Sequence, residues 1–318
     1  MPTTMRPTIL AMSIAAAVLA AAPDGDSGPT SQLGRHIEKA LADRATKDAA
    51  TPAATRPAAD TRPAEETWCF GVTSDAHLDF SGPGFNEKRI RERLAEWVKL
   101  KVDFGVIAGD LGGGTRLGTP ERFAKLLASV PGRPPLAVAF GNHECDGPGK
   151  KAWLDTLYPG VVKGVAGNGN DRYFYYSFDH RGCHFVFLNV NRIAGRAWYA
   201  DRLPAGELAW LDKDLAAAKG KPTFIFCHEP FPLLRNTDEV LAVLGKHPDV
   251  AYVFHGHLHT PAKVRFGGQN VIAIGLLEDL AVRVTGKRVE LCTVADGKLQ
   301  PVATPLPKLE DALKTFAP

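Results

Sequence analysis

The sequence predicts an α/β fold whose central strands are buried on both faces. Apolar runs of strand length recur without polar alternation, as in TWCFGVT and PLAVAF, and such runs are typical of strands covered on both sides of a sheet. Amphipathic segments such as NEKRIRERLAEWVKL separate the runs. Strands that alternate with helices in this way favour a sheet with parallel strands.

The elements follow one another in a regular order. The predicted strands are TWCFGVT, VDFGVIA, PLAVAF, PTFIFC and VAYVF, and the predicted helices between them are NEKRIRERLAEWVKL, PERFAKLLASV and AGELAWLDKDLAAAK. Three more strands, in KVRFGG, NVIAIG and RVELCTV, are expected near the C-terminus. They predict one domain at residues 67–306, long enough for a full core, followed by a C-terminal tail at residues 307–318.

The segment before this domain has a different composition. Residues 1–22 contain one charge, at Arg6, and then an apolar stretch that ends in small residues, which is the layout of a cleavable secretory signal peptide. An uncleaved membrane anchor is the alternative, but the run is short for a span of about 20 residues. Residues 23–66 are rich in Ala, Pro and Thr and predict a disordered linker. We expect an exported protein, periplasmic or extracellular, with no stable membrane insertion after cleavage.

Charge and cysteine content exclude other classes of function. The net charge is +3 without a basic block, which argues against specific nucleic-acid binding. The five cysteines are scattered and form no C-x-x-C pair, so they indicate small core residues rather than a disulfide framework or a zinc site. Unpaired thiols are unusual in exported proteins and weigh against the signal peptide.

Each of the first five predicted strands is followed by side chains that can bind metal ions. Ligands in open α/β sheets gather at the carboxyl ends of the strands, so these side chains should converge. Carboxylate, imidazole and amide groups without thiolate suit manganese, iron or zinc ions. Eight such groups are too many for one ion, and two ions that share a carboxylate would use them all. The eight residues are Asp75, His77, Asp110, Asn142, His143, His228, His257 and His259.

The motifs that contain these residues, in their order, resemble the calcineurin-like metallophosphoesterase superfamily. They are D-x-H, G-D, G-N-H-E, the lone histidine of FIFCHEPF and G-H-x-H. The middle of the chain is similar to the branch that contains bacterial cyclic-nucleotide phosphodiesterases and related phosphohydrolases. The resemblance implies a four-layer α-β-β-α sandwich of two mixed sheets flanked by helices.

The resemblance also implies a role for each residue. It assigns Asp75, His77 and His259 to one divalent metal ion, assigns Asn142, His228 and His257 to the other, and makes Asp110 the bridge between them. His143 is then the catalytic acid. The implied reaction is hydrolysis of a phosphomonoester or phosphodiester, in a small-molecule or macromolecular substrate, by in-line attack of a hydroxide that bridges the ions. The alternative is a non-catalytic metal-binding scaffold of the same fold.

Several residues near the motifs have alternative roles. The family that the sequence resembles often has Asp or Asn where this chain has Gly113, so either another group orients His143 or this residue is less well held. Arg192 and Arg196 are either substrate contacts or solvated loop residues. Glu144 and Glu229 are assigned surface or supporting roles. No segment around the cleft identifies the substrate.

Overall fold

The computed structural model describes residues 66–78, 85–112, 119–145, 153, 175–189 and 202–314. The predicted signal peptide and nearly all of the predicted linker lie outside the described residues, as do Gly113, Arg192 and Arg196.

The described residues form two six-stranded sheets. The first has the strand order β12-β11-β10-β1-β2-β3, and the second has the order β4-β5-β6-β7-β9-β8. The strands of the first sheet are β1 (Thr67–Thr73), β2 (Gly105–Ala108), β3 (Leu136–Ala139), β10 (Leu280–Thr285), β11 (Arg288–Ala295) and β12 (Lys298–Pro301). Those of the second are β4 (Tyr176–His180), β5 (Cys183–Phe187), β6 (Thr223–Phe226), β7 (Val250–His255), β8 (Ala262–Phe266) and β9 (Gln269–Ala273).

Both sheets are mixed. In the first, β1, β2 and β3 are parallel, whereas β10, β11 and β12 continue the sheet from β1 in antiparallel pairs. In the second, β5, β6, β7 and β9 are parallel, and β4 and β8 are antiparallel edges. The five strands predicted to precede the metal-binding motifs are therefore all in the parallel parts of the sheets.

The helices of the described residues lie between the strands or after the last one. They are α1 (Phe85–Leu100), α2 (Thr119–Ala128), α3 (Asn142–Cys145), α4 (Ala205–Ala217), α5 (Thr237–Leu244) and α6 (Leu309–Lys314), with a 3₁₀ turn at Phe231–Leu233. None of the helices in the described part of the chain is both long and apolar enough to cross a lipid bilayer. Helix α6 lies beyond the predicted end of the domain, and Leu309 packs against the apolar cluster beneath the second sheet.

Aromatic side chains fill the space between the two sheets. Phe70 of the first sheet lies edge-on to Phe224 of the second, with ring centroids 5.0 Å apart, and Phe104 and Phe185 make the same kind of contact at 5.0 Å. Such edge-to-face pairs add to the stabilisation from apolar burial. The inner layers of the fold are thus the two sheets, packed face to face.

The outer faces of both sheets are covered by helices. Trp97 of α1 packs directly on Gly71 and Gly105, where an added Cβ atom would lie 2.3 and 2.1 Å from the indole ring. On the other side, Leu211 of α4 and Val240 of α5 belong to one buried cluster with outward-facing residues of the second sheet. The predicted four-layer α-β-β-α sandwich is confirmed.

Four of the five cysteines are core residues. Cys69, Cys183, Cys227 and Cys292 are buried and form no disulfide bonds. Burial raises the pKa of the Cys69 thiol to about 11 and that of Cys183 to about 12. These thiols are therefore packing groups rather than metal ligands or nucleophiles, as the sequence predicts.

Candidate metal centre

Loops from both sheets meet at the carboxyl ends of the parallel strands. The loops follow β1, β2 and β3 of the first sheet and β6 and β7 of the second. They bring together all eight residues singled out in the sequence: Asp75 and His77 after β1, Asp110 after β2, Asn142 and His143 after β3, His228 after β6, and His257 and His259 after β7.

The first cluster consists of Asp75, His77 and His259. The Nε2 atoms of the two histidines are 2.8 Å apart. Oδ1 of Asp75 lies 3.2 Å from Nε2 of His259 and 3.7 Å from Nε2 of His77. Three possible ligand atoms thus lie close enough together to bind one ion.

The second cluster contains His228, His257 and Asn142 beside Asp110. Nδ1 of His257 is 3.3 Å from Nε2 of His228 and 3.0 Å from Oδ1 of Asn142. Nε2 of His228 is 3.1 Å from Oδ2 of Asp110, and its Nδ1 lies 2.8 Å from the carbonyl oxygen of Ala108. If Nδ1 carries the ring proton and donates a hydrogen bond to that carbonyl, the lone pair of Nε2 is free to bind an ion.

Asp110 lies between the two clusters. Its Oδ2 atom is 3.1 Å from Nε2 of His228 in the second cluster and 3.6 Å from Nε2 of His77 in the first. The same oxygen is 3.7 Å from Nε2 of His143, whose side chain is 15% exposed. His143 therefore lies at the junction of the clusters, on the side open to solvent.

Neighbouring groups of opposite charge lower the pKa of a carboxyl group and raise that of an imidazole in this centre. Burial alone would raise the pKa of Asp75, but hydrogen bonds with His259 and His77 bring it well below its ordinary value. Burial would lower the pKa of His228, but the charge of Asp110 raises it well above its ordinary value. The buried carboxylates thus require positive charge close by, which either ring protons or metal ions can supply.

The backbone at the proposed ligands is strained. The φ angles are 56° at Asp75, 41° at His77, 52° at Asp110, 68° at His257 and 55° at His259. Non-glycine residues rarely adopt positive φ, and such strain persists only where the surrounding structure holds it. Here the backbone N–H groups of Asp75 and His77 donate to the carbonyl oxygens of Gly109 and Asp110, at 3.1 and 2.9 Å.

Two glycines of the motifs are required by close packing. A Cβ atom on Gly141 would lie 2.0 Å from Oδ1 of Asp110. A Cβ atom on Gly256 would lie 2.0 Å from the hydroxyl of Ser74 and 2.6 Å from Oδ2 of Asp75. Any side chain at these positions would displace a carboxylate of the centre.

Glu144 has a supporting role, which is one of the two roles that the sequence leaves open for it. Its carboxylate is fully buried and accepts four backbone N–H groups, from Asp110, Leu111, Gly112 and Gly141, at 2.9, 2.8, 3.3 and 2.9 Å. The carboxylate therefore fixes the loop that carries the proposed bridging residue. Its position beside His143 was the only available signal.

The sequence matches the profile of a known protein family. The profile of the family described as calcineurin-like phosphoesterase matches residues 70–261, which is more than half of the 318-residue chain. The architecture is also that of a dimetal phosphatase from Danio rerio, with a TM-score of 0.58 and 16% identity over 75% of this chain and 99% of that one. At that identity the likeness shows the fold alone.

Two curated relatives are named as phosphodiesterases. The glycerophosphodiester phosphodiesterase GpdQ of Enterobacter lignolyticus is 29% identical over 177 residues, which are 51% of this chain and 58% of the relative. A 3′,5′-cyclic-nucleotide phosphodiesterase of Nostoc sp. is 29% identical over 185 residues, which are 54% of this chain and 60% of the relative. The chain thus spans less than two thirds of the length of either relative. Because the family profile covers all five motifs and more than half of the sequence, the chain belongs to the calcineurin-like phosphoesterase family.

Proposed function

We propose that this protein is a phosphoesterase that uses two divalent metal ions to hydrolyse phosphodiester bonds. The observation that carries the proposal is the position of Asp110, whose Oδ2 atom faces Nε2 of His228 at 3.1 Å and Nε2 of His77 at 3.6 Å. A carboxylate between two ligand clusters is what a pair of neighbouring ions requires. The two phosphodiesterase relatives support a diester as the substrate.

The donor groups fit the two ions. We assign Asp75, His77 and His259 to the first ion and Asn142, His228 and His257 to the second, with Asp110 shared. Carboxylate, imidazole and amide ligands suit manganese, iron or zinc. In the structure the same carboxylates raise the pKa of His259 and His228, so protons and cations compete for the ring nitrogens.

The residues around the ions prepare the site for a phosphate. Bound divalent ions supply Lewis acidity toward phosphoryl oxygens and lower the pKa of coordinated water. Neutral imidazole ligands leave the site cationic, and that charge attracts an anionic substrate. The deep burial of Asp75 and Asp110, which are 0% and 2% exposed, strengthens their interaction with positive charge.

We assign to His143 the transfer of a proton to the leaving alkoxide. Its backbone N–H donates to Oδ1 of Asp110 at 3.1 Å, which anchors the residue at the centre. Its ring is half-buried, so Nε2 can reach a substrate that enters from solvent. General acid catalysis of this kind typically contributes about 10²–10⁴ in rate.

The alternative, a non-catalytic scaffold of the same fold, has less support. A scaffold does not need a proton donor beside a shared carboxylate, and this chain has both His143 and Asp110 in place. Assays with bis(4-nitrophenyl) phosphate and 4-nitrophenyl phosphate, each with manganese, iron and zinc, separate the two functions. We expect faster hydrolysis of the diester, abolished by a chelator. Metal-loaded protein that hydrolyses neither compound would support the scaffold.

We also propose that the enzyme is exported. The support comes from residues 1–22, with one charge and an apolar stretch that ends in small residues. Its substrates would then be phosphodiesters met outside the cytoplasm. Sequencing of the N-terminus of protein recovered from fractionated cells tests this. We expect a mature chain that begins near residue 23, and an intact N-terminus on cytoplasmic protein would contradict export.

A further inference from the structure

A short loop between β9 and β10 supports the backbone of the first ligand cluster. We call residues 275–279 the supporting loop. The N–H of Leu277 donates to the carbonyl oxygen of Ser74 at 3.0 Å, directly before Asp75. The N–H of Leu276 donates to the carbonyl oxygen of His259 at 3.3 Å. The loop thus contacts the chain at two of the three proposed ligands.

Two arginines of α1 bind the same two leucines from the other side. Nη2 of Arg89 donates to the carbonyl oxygen of Leu276 at 2.9 Å. Nε of Arg93 donates to the carbonyl oxygen of Leu277 at 3.1 Å, and its Nη1 forms an ion pair with Asp279. Each leucine therefore links one arginine to one ligand loop.

The third ligand of this cluster is held by the same helix. The side-chain amide of Asn86 in α1 donates to the carbonyl oxygen of His77 at 2.6 Å. Helix α1 thus contacts His77 directly, and contacts the loops of Asp75 and His259 through the supporting loop.

The second cluster has different supports. Asp110 is held through Glu144, and His228 is held by the carbonyl oxygen of Ala108. The backbone N–H of His257 donates to the carboxylate of Asp75 at 3.1 Å. The hydrogen bonds from Asn86, Arg89 and Arg93 of α1 described above all lead to the first cluster.

Strain makes this support necessary. Asp75, His77 and His259 all have positive φ angles, of 56°, 41° and 55°, and such angles relax unless neighbouring groups oppose the change. A small rotation at these residues would move the ligand atoms apart. Groups that orient ligands in this way typically affect metal affinity by about 10–100-fold.

We propose that Arg89 and Arg93 are positioning residues that set the affinity of the first metal ion through the supporting loop, without touching the ion. This inference rests on the two-ion function proposed above. Both arginines line an open cleft together with His259, so the side chain at position 89 can be changed without opening a cavity in the core.

The test is manganese binding to full-length Arg89→Met, measured by calorimetry after removal of metal. Methionine keeps much of the apolar stem and loses the guanidinium group that holds Leu276. We expect two manganese ions to bind the wild-type chain and one of them to bind the variant about 10–100-fold more weakly. Arg91→Met is the matched control, because Arg91 is on the same helix and pairs with Glu87. It should bind both ions as the wild type does.

Double variants identify the affected ion. In a His259→Ala background the affinity for the first ion is already lowered, so Arg89→Met should lower it little further. In a His257→Ala background, Arg89→Met should lower the affinity for the first ion by the same factor as in the wild-type background. Equal weakening of both ions by Arg89→Met, or wild-type affinity for both, would overturn the proposal.

A further variant separates positioning from folding. Arg89→Lys keeps the charge and the stem but not the fork geometry of the guanidinium, and it replaces Arg89→Met if that variant does not fold. A lowered melting temperature with unchanged affinity for both ions would mean a purely structural role. Wild-type protein that binds two ions but hydrolyses no diester would contradict the proposed function and leave this inference standing.

Discussion

The Nε2 atoms of His77 and His259 lie 2.8 Å apart, and both face Oδ1 of Asp75. Two ring nitrogens at this distance repel each other when both present lone pairs, so a proton or a cation has to lie between them. A cation bound here would interact with both nitrogens and with the carboxylate of Asp75 at once.

Metal binding should accordingly stabilise the fold. A ligand at 100 times its Kd stabilises the native state by about 2.7 kcal/mol for each site. We expect manganese to raise the melting temperature of wild-type protein and a chelator to reverse the change. His259→Ala should show only the part of the shift due to the second ion. A full shift in that variant would contradict our assignment of His259.

Asp110 and His143 should differ in what their loss removes. Asp110→Ala deletes the shared carboxylate, so both activity and binding of at least one ion should be lost. His143→Ala should keep both ions and lower kcat by about 10²–10⁴. Metal content by mass spectrometry and steady-state kinetics on the same samples distinguish the two. Equal loss of metal in both variants would make His143 a ligand rather than an acid.

Glu144→Gln should destabilise the loop of the bridging carboxylate. The amide replaces one carboxylate oxygen by NH₂, which then faces two backbone N–H donors. A buried donor without an acceptor costs about 1–3 kcal/mol, and urea unfolding can measure the change. Glu121→Gln is a suitable control because Glu121 is exposed in the first turn of α2. If Glu144→Gln were as stable as the control, Glu144 would not support the loop of Asp110 as we propose.

His184 should make stability depend on pH away from the metal centre. Burial opposes a charged ring, but hydrogen bonds to Asp214 and Asp179, at 2.9 and 2.7 Å, raise the pKa of His184 above its ordinary value. The folded protein thus holds this proton more tightly than the unfolded chain. The stabilisation is complete below the ordinary pKa of 6.5 and disappears as the pH rises through the folded-state value.

Urea unfolding of wild type and His184→Gln checks this. The variant should be less stable by about 1.5–3 kcal/mol near pH 6, as expected for hydrogen bonds to charged groups. The difference should shrink at alkaline pH. His247→Gln, which removes a surface pair with the half-exposed Asp212, should have a smaller effect. A difference for His184→Gln that grows with pH would reverse the sign of our argument.

Much of the fold could be predicted because burial leaves a direct signal in the sequence. The runs TWCFGVT and VAYVF became β1 and β7, and NEKRIRERLAEWVKL became α1. The convergence of the eight site residues could also be predicted, since parallel strands place their carboxyl ends at one edge.

Strands β4, β5, β10 and β12 were not predicted. Strand β12, with the sequence KLQP, is a largely exposed edge and has no apolar alternation. Strand β10 directly follows the supporting loop. The sequence LLEDLAVRVT therefore does not show where the loop ends and the strand begins. Pairing with other strands decides such elements: β12 pairs with the preceding strand β11, and β10 pairs with β1, which is distant in the sequence.

The supporting residues were hidden for a similar reason. Arg89 and Arg93 are charged residues of an amphipathic helix, where most such side chains are solvated. The carbonyl groups of Leu276 and Leu277, which are distant in the sequence, give them a role in the structure. For Glu144 the sequence left a surface role and a supporting role open, and its full burial excludes the first.

The most direct test of the central claim is a titration of metal-free protein with manganese, in which bound ion and hydrolysis of bis(4-nitrophenyl) phosphate are measured in the same samples. We expect two bound ions per chain and activity that appears only as the second ion binds, because Asp110 lies between both clusters. Activity that is complete with one ion, or two bound ions without hydrolysis, would contradict the account.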